Sequence, residues 1–317
     1  MGKKLLKITM FGLVTLFLFV QIGWFMLPML APVLSGASDW VPIPLENVKT
    51  SCYQESEPLS WTWCVHKMEH QSQDTILYHL HGRRGAANWW NDKEYFSGDV
   101  MNLWDRQDLV PPTVVGISFG PLWLLQDEES MSGEAPPIGL LTEQLIPKIE
   151  IQLGLKIKKR MVVGESMGGV NALMLLAHAS GSFARVAALC PPLSQLPPDA
   201  ALTDIFKKVT DSSLSLKRAL LLSAMGRYFY PESDRWYKLD PVQKLAVTQQ
   251  VNTKSVYISS GQRDDWDCQG GIPALTRELE RLNVDVTLDT RDAGHCWVDP
   301  KKLATFLVGE KVEHTLL

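Results

Sequence analysis

No run of lysine or arginine of the kind that tracks a phosphate backbone occurs in this 317-residue chain, and its formal net charge is −4. Nucleic acid is therefore not an expected partner. Cysteine is scarce and odd in number, five in all, with no C-x-x-C pair and no Cys/His grouping at metal-ligand spacing. No metal site is expected on that ground. Internal repeats and low-complexity tracts are also missing, so the chain is not read as a repeat array. What is present is ordinary for a globular protein with a full core: 45% hydrophobic and 21% charged residues. Eleven tryptophans are many, and most are expected to pack in the core or line a pocket.

The N-terminus carries the longest apolar stretch. Lys3, Lys4 and Lys7 precede residues 8–34, whose ordinary polar residues are Thr9, Thr15 and Gln21. Residues 8–27 alone reach the roughly 20 residues needed to span a bilayer. The flanking lysines place the rest of the chain on the extracytoplasmic side. Two readings stand: an uncleaved anchor, or a signal peptide cleaved at Ser35-Gly36-Ala37, which would leave the protein secreted or periplasmic. The length of the stretch favours the anchor. The expected division is 1–37 as this segment, 38–50 as a proline-bearing linker, and 51–317 as one domain of a size a single α/β fold can fill.

Strand-like runs recur at 61–67, 75–80, 113–119, 159–163, 185–190, 254–259 and 284–290, several apolar on both faces. Helical patterns fall between them at 139–152, 170–179 and 272–282, with a last helix from about Pro300. This alternation predicts an α/β fold with a mostly parallel central sheet flanked by helices. Residues 192–253 break it. They show helical patterns, including an amphipathic run at 214–230, and no clear strand, which predicts a helical cap over the sheet's carboxyl edge. Met225, Tyr228, Phe229, Tyr230 and Trp236 are candidate pocket walls, with plain packing of the cap as the alternative for each. Trp297, beside the histidine discussed next, and Arg84 are further pocket candidates.

The chemistry centres on Gly164-Glu165-Ser166-Met167-Gly168-Gly169, which lies between the apolar run 161–163 and a helix-like run. A sharp strand–turn–helix of this kind strains the serine backbone and lifts its hydroxyl above the sheet. The Met167 amide then sits at a helix N-terminus, where developing negative charge is favoured. A serine hydroxyl needs a base, and the base an orienting carboxylate. His295, in the loop after the last strand, is the candidate base, and Gly294 is read as letting that loop approach closely. Asp264, after the strand at 254–259, is the candidate acid, with Asp265 second. The early loop His81-Gly82-Arg83-Arg84 offers the Arg83 amide as second oxyanion donor, with His81 bracing the loop. The Arg83 and Arg84 side chains either hold an anionic group of a substrate or pair with acids at the mouth.

Cys52 and Cys64 flank a short loop and are disulfide candidates in an oxidising compartment. Cys190 ends an apolar strand and reads as a buried free thiol. Cys268 and Cys296 lie near the acid and the histidine, and a bond between them stands level with two separate thiols.

These motifs together resemble the α/β-hydrolase superfamily, and within it the esterase branch that includes esterase D, feruloyl esterases and mycolyltransferases. The matching pieces are His81-Gly82 with Trp89-Trp90, the run from Gly164 to Leu173, Gly261-Gln262-Arg263-Asp264 and Gly294-His295-Cys296-Trp297. Residues 141–150 and 183–191 also fit, and the resemblance spans about 75–306. It implies hydrolysis of carboxylic esters, or acyl transfer, through an acyl-serine on Ser166, with His295 as base, Asp264 as acid and no cofactor. The chain departs from the pattern at Arg83-Arg84 and throughout the cap. Its expected function is a membrane-tethered serine esterase acting on a small-molecule, glycan or lipid ester. The rivals are an acyltransferase with the same triad and a binding protein that has lost turnover.

Overall fold

The structure is a computed structural model that describes residues 36–107, 109–126, 136–193, 196–230 and 232–308. The apolar N-terminal stretch at 8–34 lies outside the described residues, and among those described no helix is long and apolar enough to cross a membrane.

Eight strands form one sheet: β1 Val48–Glu55, β2 Trp61–Met68, β3 Thr75–Leu80, β4 Thr113–Ser118, β5 Lys159–Glu165, β6 Arg185–Leu189, β7 Ser255–Gly261 and β8 Asp285–Arg291. Their order is β1-β2-β4-β3-β5-β6-β7-β8. The pairs β1–β2 and β2–β4 are antiparallel, and all the others are parallel. The middle strands alternate between two cores. In β5, Val162 packs on one face while Met161 and Val163 pack on the other. In β3, Ile76, Tyr78 and Leu80 face one way and Leu77 the other. Burial on both faces is what makes these strands read as continuous apolar runs.

Helices cover both faces. One carries α1 Phe96–Arg106 and the last helix, α9 Pro300–Val308, joined by the Trp104 indole donating to the Ala304 carbonyl at 3.1 Å. The other carries α2 Ile146–Leu153, α3 Met167–His178 and α8 Ile272–Arg281. Between β6 and β7 lie α4 Leu202–Asp211, α5 Leu216–Phe229, α6 Ser233–Leu239 and α7 Pro241–Val247. These four make up a helical insertion, the cap, between β6 and β7. The insertion is pinned where it leaves the sheet, by the Cys190 amide on the Ser259 carbonyl at 2.7 Å. It is pinned again where it returns, by the Lys254 amide on the Ala184 carbonyl at 3.2 Å and the Thr253 hydroxyl on the Phe183 carbonyl at 3.0 Å.

Three features differ from the sequence reading. The helix expected at 139–152 is in two parts, a π-helical Leu140–Leu145 followed by α2. Pro147 near the start of α2 has no N–H to donate and crowds the preceding turn, and the wider turn accommodates it. The expected linker at 38–50 is docked rather than free, and it ends in strand. The Trp40 indole donates to Asp92 at 2.6 Å, the Leu45 amide to Asn91 at 3.0 Å, and the Lys93 amide to the Ile43 carbonyl at 2.8 Å. From Val48 the chain becomes β1, an edge strand paired along its length with β2, and the disulfide Cys52–Cys64 links facing residues of the two.

Candidate active site

Ser166 sits between β5 and α3 with φ 52° and ψ −115°, the strained elbow conformation. Two glycines make the turn possible. A Cβ on Gly164 would overlap the Gly168 carbonyl, and one on Gly168 would overlap the Leu80 carbonyl. The Ser166 amide is tied to the Leu189 carbonyl of β6 at 2.8 Å. Its hydroxyl therefore points out at the carboxyl ends of the strands.

The three residues expected to form a triad meet there. The Ser166 hydroxyl lies 3.1 Å from His295 Nε2, and His295 Nδ1 lies 2.8 Å from Asp264 Oδ2. The other carboxylate oxygen of Asp264 accepts the Trp266 amide at 2.8 Å. Asp264 is buried. Burial alone would raise its pKa, but the hydrogen bond and charge of His295, with the Trp266 amide, hold it below the usual carboxylate range. The loops carrying acid and base are tied together by the Gln262 amide on the Arg291 carbonyl at 2.7 Å and the Arg263 amide on the Ala293 carbonyl at 2.9 Å. The close approach of the loops depends on Gly261, where a Cβ would overlap the Ala293 and Gly294 carbonyls. Gly294, read from sequence as the residue permitting that approach, faces open space. Asp265 turns away from the histidine and pairs with Arg218 of α5 at 3.3 Å.

The loop after β3 lies against the elbow, and a Cβ on Gly82 would come within 3.5 Å of the Ser166 Cβ. The amides of Arg83 and Met167 are the nearby oxyanion donor candidates. His81 braces the loop as expected. Its Nδ1 lies 2.7 Å from the Gly82 carbonyl and Nε2 2.8 Å from the Ser118 hydroxyl, and the Trp123 indole donates to Nε2 at 3.2 Å. Burial pushes its pKa down to about 4. With the imidazole neutral, Nδ1–H donates to the Gly82 carbonyl and Nε2 accepts.

Glu165 escaped the sequence reading. Its buried carboxylate accepts the Gly82 amide at 2.8 Å, lies 2.8 Å from His79 Nε2, and holds the Tyr95 hydroxyl. The available signal was a charged residue closing a strand whose preceding residues are apolar. Leu124, Arg218 and Trp266 also escaped it.

A cavity of about 110 Å³ opens beside Ser166. Met225, Tyr230 and Trp236 of the cap line it with Met167, Leu193 and Met174, and Arg83 and Trp266 stand among its walls. Four expected wall residues do not. Tyr228 and Phe229 lie on the packing side of α5, in edge-to-face contact with each other and with Phe229 buried in the core. Trp297 turns outward under the Arg291 guanidinium. Arg84, with φ 72°, directs its guanidinium to the Gly36 and Ala37 carbonyls.

The structure also corrects the cysteines. Cys190 is not a free thiol: it forms a disulfide with Cys296, and Cys268 is left free and buried. The bond ties the end of β6 to the residue after His295. Burial first, then the charge of Asp264, pushes the Cys268 thiol well above its ordinary pKa. Tertiary structure does gather donor atoms around His295, with Cys190 and Cys296 on one side and Asp264 and Cys268 on the other. The disulfide uses the first pair of sulfurs, and both ring nitrogens of His295 face Ser166 and Asp264.

A mostly parallel sheet flanked by helices, with a serine elbow, a histidine loop after the last strand and an acid loop between them, defines an α/β-hydrolase. Comparison of the fold agrees. A ferulic acid esterase superposes with a TM-score of 0.55 at 16% identity, over 83% of this chain and 95% of its own. An S-formylglutathione hydrolase from Agrobacterium tumefaciens gives 0.56 at 16% identity, over 85% and 95%. A thermostable esterase from Pseudomonas putida ECU1011 gives 0.55 at 17%, over 90% and 86%. No curated relative matches in sequence. The family model described as "Putative esterase" matches residues 138–297, just over half of the chain. The chain belongs to that esterase family, and its class is that of a carboxylic ester hydrolase.

Proposed function

We propose that the protein is a serine carboxylesterase working through an acyl-serine intermediate. His295 Nε2 takes the Ser166 proton as the hydroxyl attacks the ester carbonyl. The amides of Met167 and Arg83 receive the oxyanion, and Asp264 keeps the imidazole oriented and stabilises its protonated form. His295 then delivers the proton to the leaving alcohol and activates water for deacylation. The observation that carries this reading is the continuous hydrogen-bonded line Ser166–His295–Asp264. The apolar cavity beside the serine supports an apolar acyl group in the substrate.

The test is labelling by a fluorophosphonate together with hydrolysis of p-nitrophenyl butyrate, in the wild type and in Ser166→Ala. Labelling is expected to vanish in the variant and turnover to fall by about 10⁴ or more, with the circular dichroism spectrum unchanged. Retention of a tenth of the activity would refute the assignment.

We further propose an extracytoplasmic placement of the catalytic domain. The lysine-flanked apolar stretch at 8–34 and the Cys52–Cys64 disulfide support it.

A further inference from the structure

The three residues of the triad are not held equally. Asp264 is buried, and the Ser166 amide is fixed on the Leu189 carbonyl at the end of β6. His295 stands on an irregular segment between β8 and α9. Upstream, the Ala293 carbonyl accepts the Arg263 amide at 2.9 Å, and downstream the buried Val298 enters the core. Between these points, among the described residues, no main-chain group of 294–297 hydrogen-bonds to another element.

The sulfur of Cys296 supplies what the backbone there does not. Its bond runs to Cys190, which is fully buried and has its amide on the Ser259 carbonyl of β7 at 2.7 Å. Cys190 directly follows Leu189, whose carbonyl holds the nucleophile, and Cys296 directly follows the base. The crosslink therefore runs from the strand end that positions Ser166 to the residue next to His295. It is the closest main-chain tie that His295 has along the sequence.

The two ends of this bond differ in freedom. Both cysteines have left-handed backbone, with φ 44° at Cys190 and 56° at Cys296. A residue with a Cβ holds that conformation only where its surroundings impose it. Cys190 is imposed on twice more, since its carbonyl also accepts the Cys268 thiol at 2.9 Å. Cys296 is partly exposed, and the disulfide is its main restraint. Opening the bond leaves Cys190 in place and lets the histidine segment relax. A displacement of about 1 Å in a catalytic group is enough to cost about 10²-fold in rate.

We propose that the Cys190–Cys296 disulfide is a positioning element for the base, so that the oxidised enzyme is the active form and a dithiol reductant turns it down. The inference rests on the serine-esterase reading above and adds a control of that same site. The reductant's thiolate attacks the Cys296 sulfur, and Cys190 leaves as a thiolate and takes up a proton. The second thiol of the reductant then attacks the mixed disulfide. Cys296 is released as a thiol, and the reductant departs as a cyclic disulfide, having given two electrons to the protein. Turnover is thus held low in a reducing compartment and becomes full in an oxidising one.

The experiment treats the full, oxidised chain with dithiothreitol under nitrogen and removes the reagent by gel filtration before assay. Differential alkylation with peptide mapping reports which bridge has opened, and far-ultraviolet circular dichroism reports folding. With Cys190–Cys296 open, kcat on p-nitrophenyl butyrate is expected to fall about 10–100-fold, with KM within about threefold. The rate of fluorophosphonate labelling should fall in parallel, because it needs the same base, and oxidised glutathione should restore both. Cys296→Ser should start at the lowered kcat and not respond to dithiothreitol. The double variant Cys52→Ser with Cys64→Ser, which lacks the other bridge, should respond as wild type does. Three results would each overturn the proposal: a kcat within twofold once mapping shows the bridge open, a fall in kcat that only tracks loss of the folded spectrum, or both cysteines found as free thiols in the oxidised enzyme. Ser166-dependent turnover of the oxidised enzyme is read in the same assays. Its presence keeps the serine-esterase reading whatever reduction does, and its absence fails that reading instead.

Discussion

Removing the Glu165 carboxylate is the sharpest test of how the oxyanion loop is held. Glu165 fastens Gly82, which precedes the proposed oxyanion donor Arg83, and meets His79 and Tyr95 in a dry site. Glu165→Ala deletes the acceptor for three donors at once. It leaves the Gly82 amide buried and unpaired, and each hydrogen bond to a buried charged group is worth about 1.5–3 kcal/mol. Relaxation and water entry recover part of that, so the expected loss of stability is about 3–5 kcal/mol. The Gln variant should be far milder. Its amide oxygen can still accept from Gly82, and its NH₂ can donate to His79 Nε2 if the imidazole proton moves to Nδ1. Nδ1 has no partner among the described residues, so that tautomer costs no existing bond. The Gln variant is therefore expected to lose about 1–2 kcal/mol. Displacing one oxyanion donor lowers turnover by about 10²–10³, and a loosened loop should cost the Ala variant about 10–100-fold in kcat with KM less affected. Urea denaturation and steady-state hydrolysis of p-nitrophenyl butyrate measure both effects. An Ala variant within 1 kcal/mol of wild type and within threefold in kcat would show that the loop is held by something else, namely the bonds of His81.

Other perturbations read other parts of the site. Asp264→Asn is expected to lower kcat by about 10³–10⁴, and Asp265→Asn by less than tenfold, since Asp265 faces Arg218; the reverse order in parallel kinetics would overturn the assignment of the acid. Buried His66, with its pKa lowered to about 3, and His81, lowered to about 4, both stay neutral in the folded protein while the unfolded chain takes up their protons near pH 6.5. Their contribution to stability is complete above pH 6.5 and is lost as the pH falls towards 4 and then 3, at up to about 1.4 kcal/mol per histidine per pH unit, a slope that urea titrations should show and that His66→Gln should reduce. Replacing Cys52 and Cys64 by serine opens a crosslink of sequence separation 12 and is expected to cost about 2–3 kcal/mol in thermal or urea unfolding; no change would mean the pair is not bonded.

The catalytic chemistry was largely legible in the sequence, because its signals are local. The elbow requires glycine at fixed offsets from the serine, and the serine and the acid each follow a strand readable from its continuous burial. The edge strand β1 was not legible because one side of it faces water and its polar residues mimic a linker. The pocket walls were only half legible. The helical run at 214–230 locates α5, but which of its residues meet the cavity depends on how the helix is rotated over the sheet, and that separates Met225 from Phe229. The partner of Cys296 is 106 residues away in sequence. Only the placement of β6 beside β7 brings it near, and spacing alone favoured Cys268 no more than separate thiols.

The pinning of the cap at both ends has a consequence for how such an enzyme diversifies. The chain leaves β6 and returns to β7, which are neighbours in the sheet, and each junction is stitched to the sheet itself. Whatever is threaded between those points closes a loop whose ends are already in place. Lengthening such a loop is cheap, about 0.6 kcal/mol for each doubling. Ser166 comes before the insertion in the chain, and Asp264 and His295 come after it, so none of the three is carried by it. The cap is thus an exchangeable cassette. Selection can rewrite the substrate-facing walls while the reacting atoms keep their positions, provided the replacement keeps the bonds from Ser213 and Ser215 to the Asp264 and Asp265 carbonyls, and a transplant between 191 and 253 is the natural unit for changing what this scaffold cleaves.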